Sequence, residues 1–209
     1  MKLYLKNHTE RYPVEQLQLQ LFAQEPSEFC TEPFTGDGTV SSLSRGKRYL
    51  TATAKVTYQG KTGFASNRVL LAKADVRATR RILQRSYYLA ALQVLPAAPP
   101  WGALSGVRPT KLSTKCLMAG GSEKDAERLL RQTYFVSPER AKLCVDASRH
   151  TVEAAKKLDA DDLSVYIGIP FCPTRCAYCS FVSQSIERFG ALLPAYLDAL
   201  LREIAHTGA

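Results

Sequence analysis

The stretch YIGIPFCPTRCAYC, residues 166–179, decides the fold class of this 209-residue chain. It places Cys172, Cys176 and Cys179 at a C-x3-C-x2-C spacing, directly after an apolar run at residues 164–169 that predicts a β-strand. Thiolates this close together suit an iron–sulfur cluster. Three protein ligands for a four-iron cluster would leave one iron open, and an open metal position is typical of chemistry rather than of scaffolding.

The same spacing argues against other uses of the three cysteines. Structural zinc sites typically use two C-x2-C pairs or Cys/His pairs, and the histidines of this chain, His8, His150 and His206, stand far apart in the sequence. A ferredoxin-type run would carry a fourth cysteine at a different spacing. Three clustered thiols cannot all pair as disulfides, and no secretory signal precedes them. We therefore expect reduced cysteines and a cytoplasmic location.

The cysteine string resembles a known signature. C-x3-C-x2-C with an aromatic residue before the last cysteine is similar to the radical S-adenosylmethionine (radical SAM) signature, and Y-I-x-I-P-F-C-x3-C-x-Y-C resembles the oxygen-independent coproporphyrinogen III oxidases. Ser180-Phe181 and the segment WGALSGVRPTK, residues 101–111, are similar to the coproporphyrinogen dehydrogenase (HemZ-type) branch. That branch carries a long extension before the cluster loop, as this chain does, so the resemblance predicts the N-terminal portion of such a protein.

The resemblance implies a cofactor set and a reaction. Cys172, Cys176 and Cys179 would bind a 4Fe-4S cluster, Tyr166 and Tyr178 would lie at S-adenosyl-L-methionine, and no catalytic residue is assigned. One electron then cleaves the sulfonium, and the 5′-deoxyadenosyl radical removes hydrogen from the propionates of coproporphyrinogen III. Loss of carbon dioxide gives the vinyl groups of protoporphyrinogen IX in porphyrin and haem biosynthesis. The implied partners are this porphyrinogen substrate and a reductant protein as electron donor.

The chain also departs from the best-known members of that family. Gly168 stands where they have a histidine, and Phe181 stands where they have a further cysteine. Relatives in the wider family include haem chaperones without oxidase activity. The family's glycine-rich segment and acidic residue for S-adenosylmethionine should follow the first helix of the barrel, and a (β/α)8 barrel takes about 200 residues or more. We therefore expect an incomplete barrel and an inactive fragment.

The sequence predicts an α/β protein in three parts. These are a small α+β module at residues 1–95, a connector and helical segment at 96–160, and the first βα unit of a truncated radical SAM (β/α) barrel at 161–209. The connector begins with Pro96-Ala97-Ala98-Pro99-Pro100, which breaks the helical pattern. Alternation and turn signals predict strands at 2–6, 49–58 and 62–69, helices at 13–23 and 74–95, and a loop at 26–39.

Helix start and stop signals organise the rest of the chain. They predict helices from near Thr110 to Gly120-Gly121, from a Ser122/Asp125 capping box to 134, from Ser137-Pro138-Glu139 to 158, and at 194–205, where Leu197, Leu200, Leu201 and Ile204 share one side. Trp101 is expected to pack against a neighbouring element. The isolated Cys30, in a loop, and Cys116 and Cys144, in helices, are expected to be buried structural thiols.

The net charge of +9 is unevenly placed. Residues 1–100 carry 14 basic and 7 acidic side chains, whereas residues 161–209 carry 3 and 5. Arg77, Arg80, Arg81 and Arg85 fall on one helical face. That face is open to three interpretations: a solvated surface, an attraction for an acidic tetrapyrrole, or the RNA contact of a radical SAM tRNA-modifying enzyme. A haem-binding chaperone is a further alternative. The leading hypothesis does not include nucleic acid among the partners. It does not include a membrane either, since no apolar run approaches the ~20 residues that span a bilayer.

Overall fold

A computed structural model describes residues 1–105, 108–159, 161–174, 176–177 and 179–208. The chain forms two compact units, Met1–Leu158 and Asp159–Ala209. Helices occur together with a mixed sheet, so the α/β class is confirmed, while the three-part division of the chain stays a prediction. Among the helices of the described residues, none combines the length and the apolar character needed to cross a membrane.

A mixed five-stranded sheet forms the base of the first unit. Its strands are β1 (Lys2–Lys6), β2 (Glu28–Cys30), β3 (Gly38–Arg45), β4 (Tyr49–Tyr58) and β5 (Lys61–Leu70), in the spatial order β2-β1-β3-β4-β5. β1 runs parallel to β2 and β3, and β3, β4 and β5 form an antiparallel meander. Gln59 and Gly60 join β4 to β5 with φ angles of 48° and 76°, which suit the right-handed twist of a two-residue hairpin.

Two helices complete this sheet module, α1 (Tyr12–Leu21) and α2 (Val76–Ala91). α2 packs against β4 and β5, and α1 packs against α2. Every second residue of β4 from Leu50 to Val56 is buried, which is the period of a strand with one covered face. A Cβ atom at Gly63 would collide with the Ala90 carbonyl oxygen, so glycine lets β5 approach α2 closely.

The remainder of the first unit is helical. It contains α3 (Pro109–Met118), α4 (Glu123–Arg128), a π-helical turn (Leu129–Thr133) and α5 (Pro138–Ala155). The predicted capping box is present: the Asp125 N–H donates to Ser122 Oγ at 3.2 Å, and the Ser122 N–H donates to Asp125 Oδ2 at 3.0 Å. Leu104, Ala126, Leu130, Val136, Ala141, Cys144 and Val145 form its buried cluster. Trp101 packs against this cluster, as predicted.

The second unit contains little regular structure before its last helix. Its elements are β6 (Phe171–Cys172), β7 (Gln184–Ser185), α6 (Ile186–Phe189), a 3-10 turn (Gly190–Leu192) and α7 (Leu193–Thr207). β6 and β7 pair in parallel over two residues each. α7 confirms the helix predicted at 194–205. Among the described residues of this unit none is buried, and the apolar side of α7 faces solvent.

Two local predictions are wrong. The predicted strand at 164–169 has no regular structure, because no described strand pairs with it; Val165 and Ile169 are 78% and 60% exposed. A parallel strand needs partners along its edges and cover on its faces, and an apolar run alone supplies neither. The first βα unit therefore does not form as predicted. The predicted loop at 26–39 contains β2 and the start of β3 instead, since pairing with β1 outweighs the weak strand propensity there.

Candidate metal centre

The cysteine loop of the second unit is held at two points by backbone hydrogen bonds. The Cys179 N–H donates to the Cys176 carbonyl oxygen at 3.0 Å, which closes a turn between these two cysteines. The Gln184 N–H donates to the Pro170 carbonyl oxygen at 2.6 Å, beside the short pairing of β6 with β7. The loop therefore begins and ends at the same short ladder of β6 and β7, and Cys172 lies within that ladder.

The three thiols of this loop are free and open to reagents. Cys176 is exposed, and Cys172 and Cys179 are partly buried. The Cys179 Sγ atom lies 3.8 Å from Ser183 Oγ and 3.9 Å from the Phe181 carbonyl oxygen, so the thiol has only weak polar contacts. Partly exposed thiols without strong partners suit metal binding better than structural packing does.

One surface cavity of about 420 Å³ brings part of the predicted site together. Tyr166, Cys172 and Cys179 all line it, although they are separated in sequence by up to thirteen positions. Cys176 does not line it. Tyr178, the other residue predicted to lie at S-adenosylmethionine, is outside the described residues. Two predicted cluster ligands, Cys172 and Cys179, and one predicted S-adenosylmethionine contact, Tyr166, thus line a single cavity.

The cavity does not by itself form a closed ligand cage. Among the described residues, no group of three or more His, Cys, Asp or Glu side chains lies close enough together to hold a metal ion. The chemistry of the donor set nevertheless fits a thiolate-bound cluster, because three free thiols occur within eight positions and two of them share one cavity. A metal would have to draw the three sulfur atoms together, which is usual where binding and local folding are coupled.

Two residues that sequence reasoning missed also line this cavity. The Tyr196 hydroxyl, on α7, donates to the Gly168 carbonyl oxygen at 2.5 Å, and its ring meets Phe171 edge-on at 5.4 Å between centroids. Ser183 Oγ lies 3.8 Å from the Cys179 Sγ atom. Tyr196 therefore ties α7 to the segment that enters the cysteine loop. No linear spacing indicates this contact, since it depends on how α7 folds back.

Gly168 explains how Tyr166 can fold against its own segment. A Cβ atom at residue 168 would lie 3.2 Å from Cε1 of the Tyr166 ring, which is tighter than ordinary van der Waals contact. Tyr166 is otherwise 89% exposed. Glycine at this position thus leaves room for the tyrosine ring beside the cavity.

Two residues of the arginine face on α2 serve contacts within the first unit. Arg80 Nε lies 2.7 Å from a Glu10 carboxylate oxygen. Arg85 donates to the Gln132 carbonyl oxygen at 3.1 Å and stacks 4.8 Å from the centroid of the Phe135 ring. These contacts favour a structural role for that pair. RNA or tetrapyrrole binding by the whole face stays an untested hypothesis.

The other cysteines differ from the loop cysteines. Cys144 is buried in α5, and that burial raises the pKa of its thiol. Cys116 lies in α3 and Cys30 in β2, and both are only partly buried. The prediction of a buried structural thiol is therefore confirmed for Cys144. It holds in part for Cys116, which packs against the buried cluster but is only partly buried. It is wrong for Cys30, which lies in a strand rather than in a loop.

Comparison with known proteins gives one informative match. The chain is 37% identical over 110 residues to the oxygen-independent coproporphyrinogen-III oxidase-like protein HemZ of Bacillus subtilis (strain 168). The resemblance to the HemZ branch is confirmed. The matched residues are 52% of this chain and 22% of that HemZ protein, so the chain spans only a minor part of the length of its relative. No family model and no solved structure matches the chain.

Proposed function

We propose that this chain carries the cluster-binding loop of a radical SAM oxidoreductase. In this proposal the full protein oxidatively decarboxylates propionates of coproporphyrinogen III to vinyl groups, giving protoporphyrinogen IX. The observation that carries the proposal is the placement of Tyr166, Cys172 and Cys179 around one cavity. The similarity to HemZ supports the substrate class, because that relative is named as coproporphyrinogen-III oxidase-like.

Cys172, Cys176 and Cys179 would hold a 4Fe-4S cluster through their thiolates. When bound together with S-adenosylmethionine, such a cluster supplies one-electron chemistry, and the protein's part is to bind, orient and tune. The turn from Cys176 to Cys179 fixes the spacing of two thiols, and the pairing of β6 with β7 anchors the third. The remaining iron would be free for an exogenous ligand, which is the arrangement of a catalytic metal site.

Tyr166 is the proposed contact for S-adenosylmethionine in the described part of the loop. Its ring borders the cavity that Cys172 and Cys179 line, so a molecule bound at those sulfur atoms would meet the ring. Tyr196 holds the backbone at Gly168 and thereby positions the segment that carries Tyr166. Tyr166 is therefore a binding residue in this proposal, and Tyr196 is a positioning residue.

We further propose that the 209-residue chain alone does not turn over the porphyrinogen. Radical and one-electron chemistry needs a site that excludes water and competing reactions. None of the described residues of the second unit is buried, so the cavity beside the cysteines is open to solvent. We also propose a reductant protein as the electron donor, because a thiolate-bound cluster that does one-electron chemistry needs a source of single electrons.

Anaerobic reconstitution tests the function. The reconstituted, dithionite-reduced chain should bind S-adenosylmethionine, seen as a change in the electron paramagnetic resonance spectrum of the reduced cluster. Replacing Tyr166 by Ala should weaken that binding, whereas Tyr12→Ala, an exposed tyrosine of the first unit, should not. Liquid chromatography should detect no protoporphyrinogen, and detectable decarboxylation by this chain would overturn the proposed inactivity.

The substrate needs its own test in a longer form of the protein that contains this chain. With a loaded cluster, the yield of 5′-deoxyadenosine from S-adenosylmethionine should rise when coproporphyrinogen III is added. Cleavage of S-adenosylmethionine that ignores the porphyrinogen would remove coproporphyrinogen III as the substrate while leaving the cluster assignment intact. Steeply salt-dependent binding of RNA would favour the tRNA-modifying alternative instead.

A further inference from the structure

A second cavity, of about 720 Å³, lies wholly within the first unit. Its apolar wall includes Tyr88 and Phe135, whose rings stack at 4.9 Å between centroids, together with Pro99. Volumes of about 300 to 1,000 Å³ with an apolar lining and a few polar groups are typical of small-molecule sites. None of the described residues of the cysteine loop lines this cavity. It is therefore a candidate site that the proposed function does not use.

The rim of this cavity is basic. Lys124, Arg128 and Arg131 line it from successive turns of α4 and the π-helical turn, against the single lining carboxylate of Glu127. Spacings of four and three residues place these cations on one helical face. The rim thus presents an excess of positive charge directly beside the aromatic wall.

The rim cations are held by weak surface pairs. Arg131 lies 3.0 Å from a Glu127 oxygen and Arg128 lies 3.0 Å from an Asp125 oxygen, and the four side chains are all at least 38% exposed. Lys124 has no ion-pair partner within 4.0 Å among the described residues. Exposed pairs of this kind contribute little, so a ligand anion can compete for the guanidinium groups at small cost.

The backbone around the cavity is unusual at two points. The helix widens into the π-helical turn at Leu129–Thr133, a feature that is frequent at functional sites. Phe135 then adopts a φ of 60°, in the left-handed region that non-glycine residues rarely occupy. The Ala103 N–H donates to the Tyr134 carbonyl oxygen at 2.8 Å, and this contact from the 101–105 segment fixes the strained position. The fold therefore holds the Phe135 ring at the cavity at a conformational cost.

We propose that this cavity binds a small organic anion with a flat apolar body. The apolar wall, where the partly exposed Phe135 stacks on the almost fully buried Tyr88 beside Pro99, receives the ring. The rim of Lys124, Arg128 and Arg131 receives the charged group. Guanidinium groups bind carboxylates and phosphates alike in a bidentate manner, so the shared chemistry is a planar ring bearing either anion.

Isothermal titration calorimetry of the 209-residue chain with three matched probes tests this site. The probes are 1-naphthyl phosphate, 1-naphthoate and the neutral 1-naphthalenemethanol, which share a ring and differ in charge. Both anions should bind about tenfold more tightly than the neutral probe, and the tighter of the two identifies the preferred charged group. Equal affinity for all three probes, or no binding of either anion, would overturn the proposal.

Two variants that change the charge of the rim in opposite directions test whether the probe binds in this cavity. Arg131→Gln should weaken 1-naphthyl phosphate about five- to tenfold, and Glu127→Gln should strengthen it about twofold, because one removes a cation and the other removes the opposing carboxylate. Arg77→Gln removes the same charge from α2, at a residue that does not line the cavity, and should leave affinity unchanged. Circular dichroism confirms that each variant is folded. If Arg131→Gln and Arg77→Gln weaken binding equally, the proposal fails, because the probe then responds to net charge and not to this cavity.

Discussion

The two units of this protein differ in how much of their apolar surface is covered. In the first unit Leu3, Leu17, Leu83 and Tyr87 are almost completely buried. In the second unit, among the described residues, no side chain is buried, although its helix α7 has a clear apolar side. The sequence patterns of the two regions are similar in kind, so the difference comes from the neighbours that each element finds.

This contrast separates where the protein is stable from where its proposed chemistry lies. Burial of apolar surface is the main favourable contribution to folding, and the first unit provides nearly all of it here. The cysteine loop lies in the unit without a core. We therefore infer that the loop gains order from what it binds, as metal sites coupled to folding do.

Matched leucine deletions should show the largest effect. Leu83→Ala removes a fully buried side chain between α2 and the sheet and should lower the free energy of unfolding by about 3 kcal/mol. Leu201→Ala removes the same atoms from α7, where the side chain is 64% exposed, and should cost less than about 0.5 kcal/mol. Urea unfolding followed by circular dichroism measures both. Equal costs would show that α7 is packed, and the comparison between the units would fail.

Matched glycine replacements compare how closely the backbone is packed in the two units. Gly102 has a φ of 58°, and a Cβ atom there would collide with the Tyr134 carbonyl oxygen. Gly102→Ala should therefore cost about 2 kcal/mol. Gly190→Ala adds the same methyl group in the second unit, where its nearest neighbour would be an Ile186 carbon at 3.5 Å.

We expect Gly190→Ala to be neutral or slightly stabilising, because Gly190 has no positive φ and alanine restricts the unfolded chain. Thermal unfolding of both variants provides the measurement. A neutral Gly102→Ala would contradict the close approach between residues 101–105 and Tyr134.

Helix caps provide a comparison of intermediate size. Ser122→Ala removes the hydroxyl that accepts the Asp125 N–H, which is one half of the capping box at α4, and should cost about 1 kcal/mol. Ser185→Ala changes the residue that precedes α6, whose side chain makes no capping hydrogen bond, and should cost almost nothing. The shift in denaturant midpoint gives the stability change of each variant, provided that the dependence of the unfolding free energy on denaturant is unchanged. A large loss from Ser185→Ala would reveal an ordering contact in the second unit that the structure does not contain.

The smallest expected effect is a pH dependence in the first unit. Burial lowers the pKa of His8, whose Nδ1 is buried without a hydrogen-bond partner among the described residues. The unfolded chain therefore binds the proton more readily, so stability is retained above the unfolded pKa of 6.5 and is lost as the pH falls below it.

The loss should stay below about 1 kcal/mol, because His8 is only partly buried and solvent screens its charge. Between pH 7.5 and 5, the free energy of unfolding should depend less steeply on pH in His8→Gln than in the wild type. His206→Gln, in the second unit, is the matched control and should leave the wild-type slope. A wild-type slope in His8→Gln would show that another group is responsible.

Much of the fold could be predicted where local signals agree with tertiary packing. β1, β4, the turn at Gln59-Gly60 and the capping box at Ser122 follow from short-range patterns. β3 could not be predicted, because two of its buried positions are Thr39 and Ser41 and the apolar alternation is absent. The strand at 164–169 has the alternation and fails for the opposite reason, since no described strand pairs with it.

The candidate site divides in the same way. Cys172, Cys176, Cys179 and Tyr166 could be predicted because their signature is linear. Tyr196 and the cavity of Tyr88 and Phe135 could not, because each depends on residues that only the fold brings together. A site assembled from distant elements leaves no spacing in the sequence from which to predict it.

Reconstitution of single cysteine variants is the most direct test of whether Cys172, Cys176 and Cys179 hold an iron–sulfur cluster. The chain and its single variants Cys172→Ala, Cys176→Ala, Cys179→Ala and the matched control Cys116→Ala are loaded anaerobically with iron and sulfide, and bound iron and the reduced-state electron paramagnetic resonance signal are measured. We expect about four irons in the wild type and in Cys116→Ala, and loss of the cluster in each loop variant. Full loading of the three loop variants, or equal loss in Cys116→Ala, would contradict it.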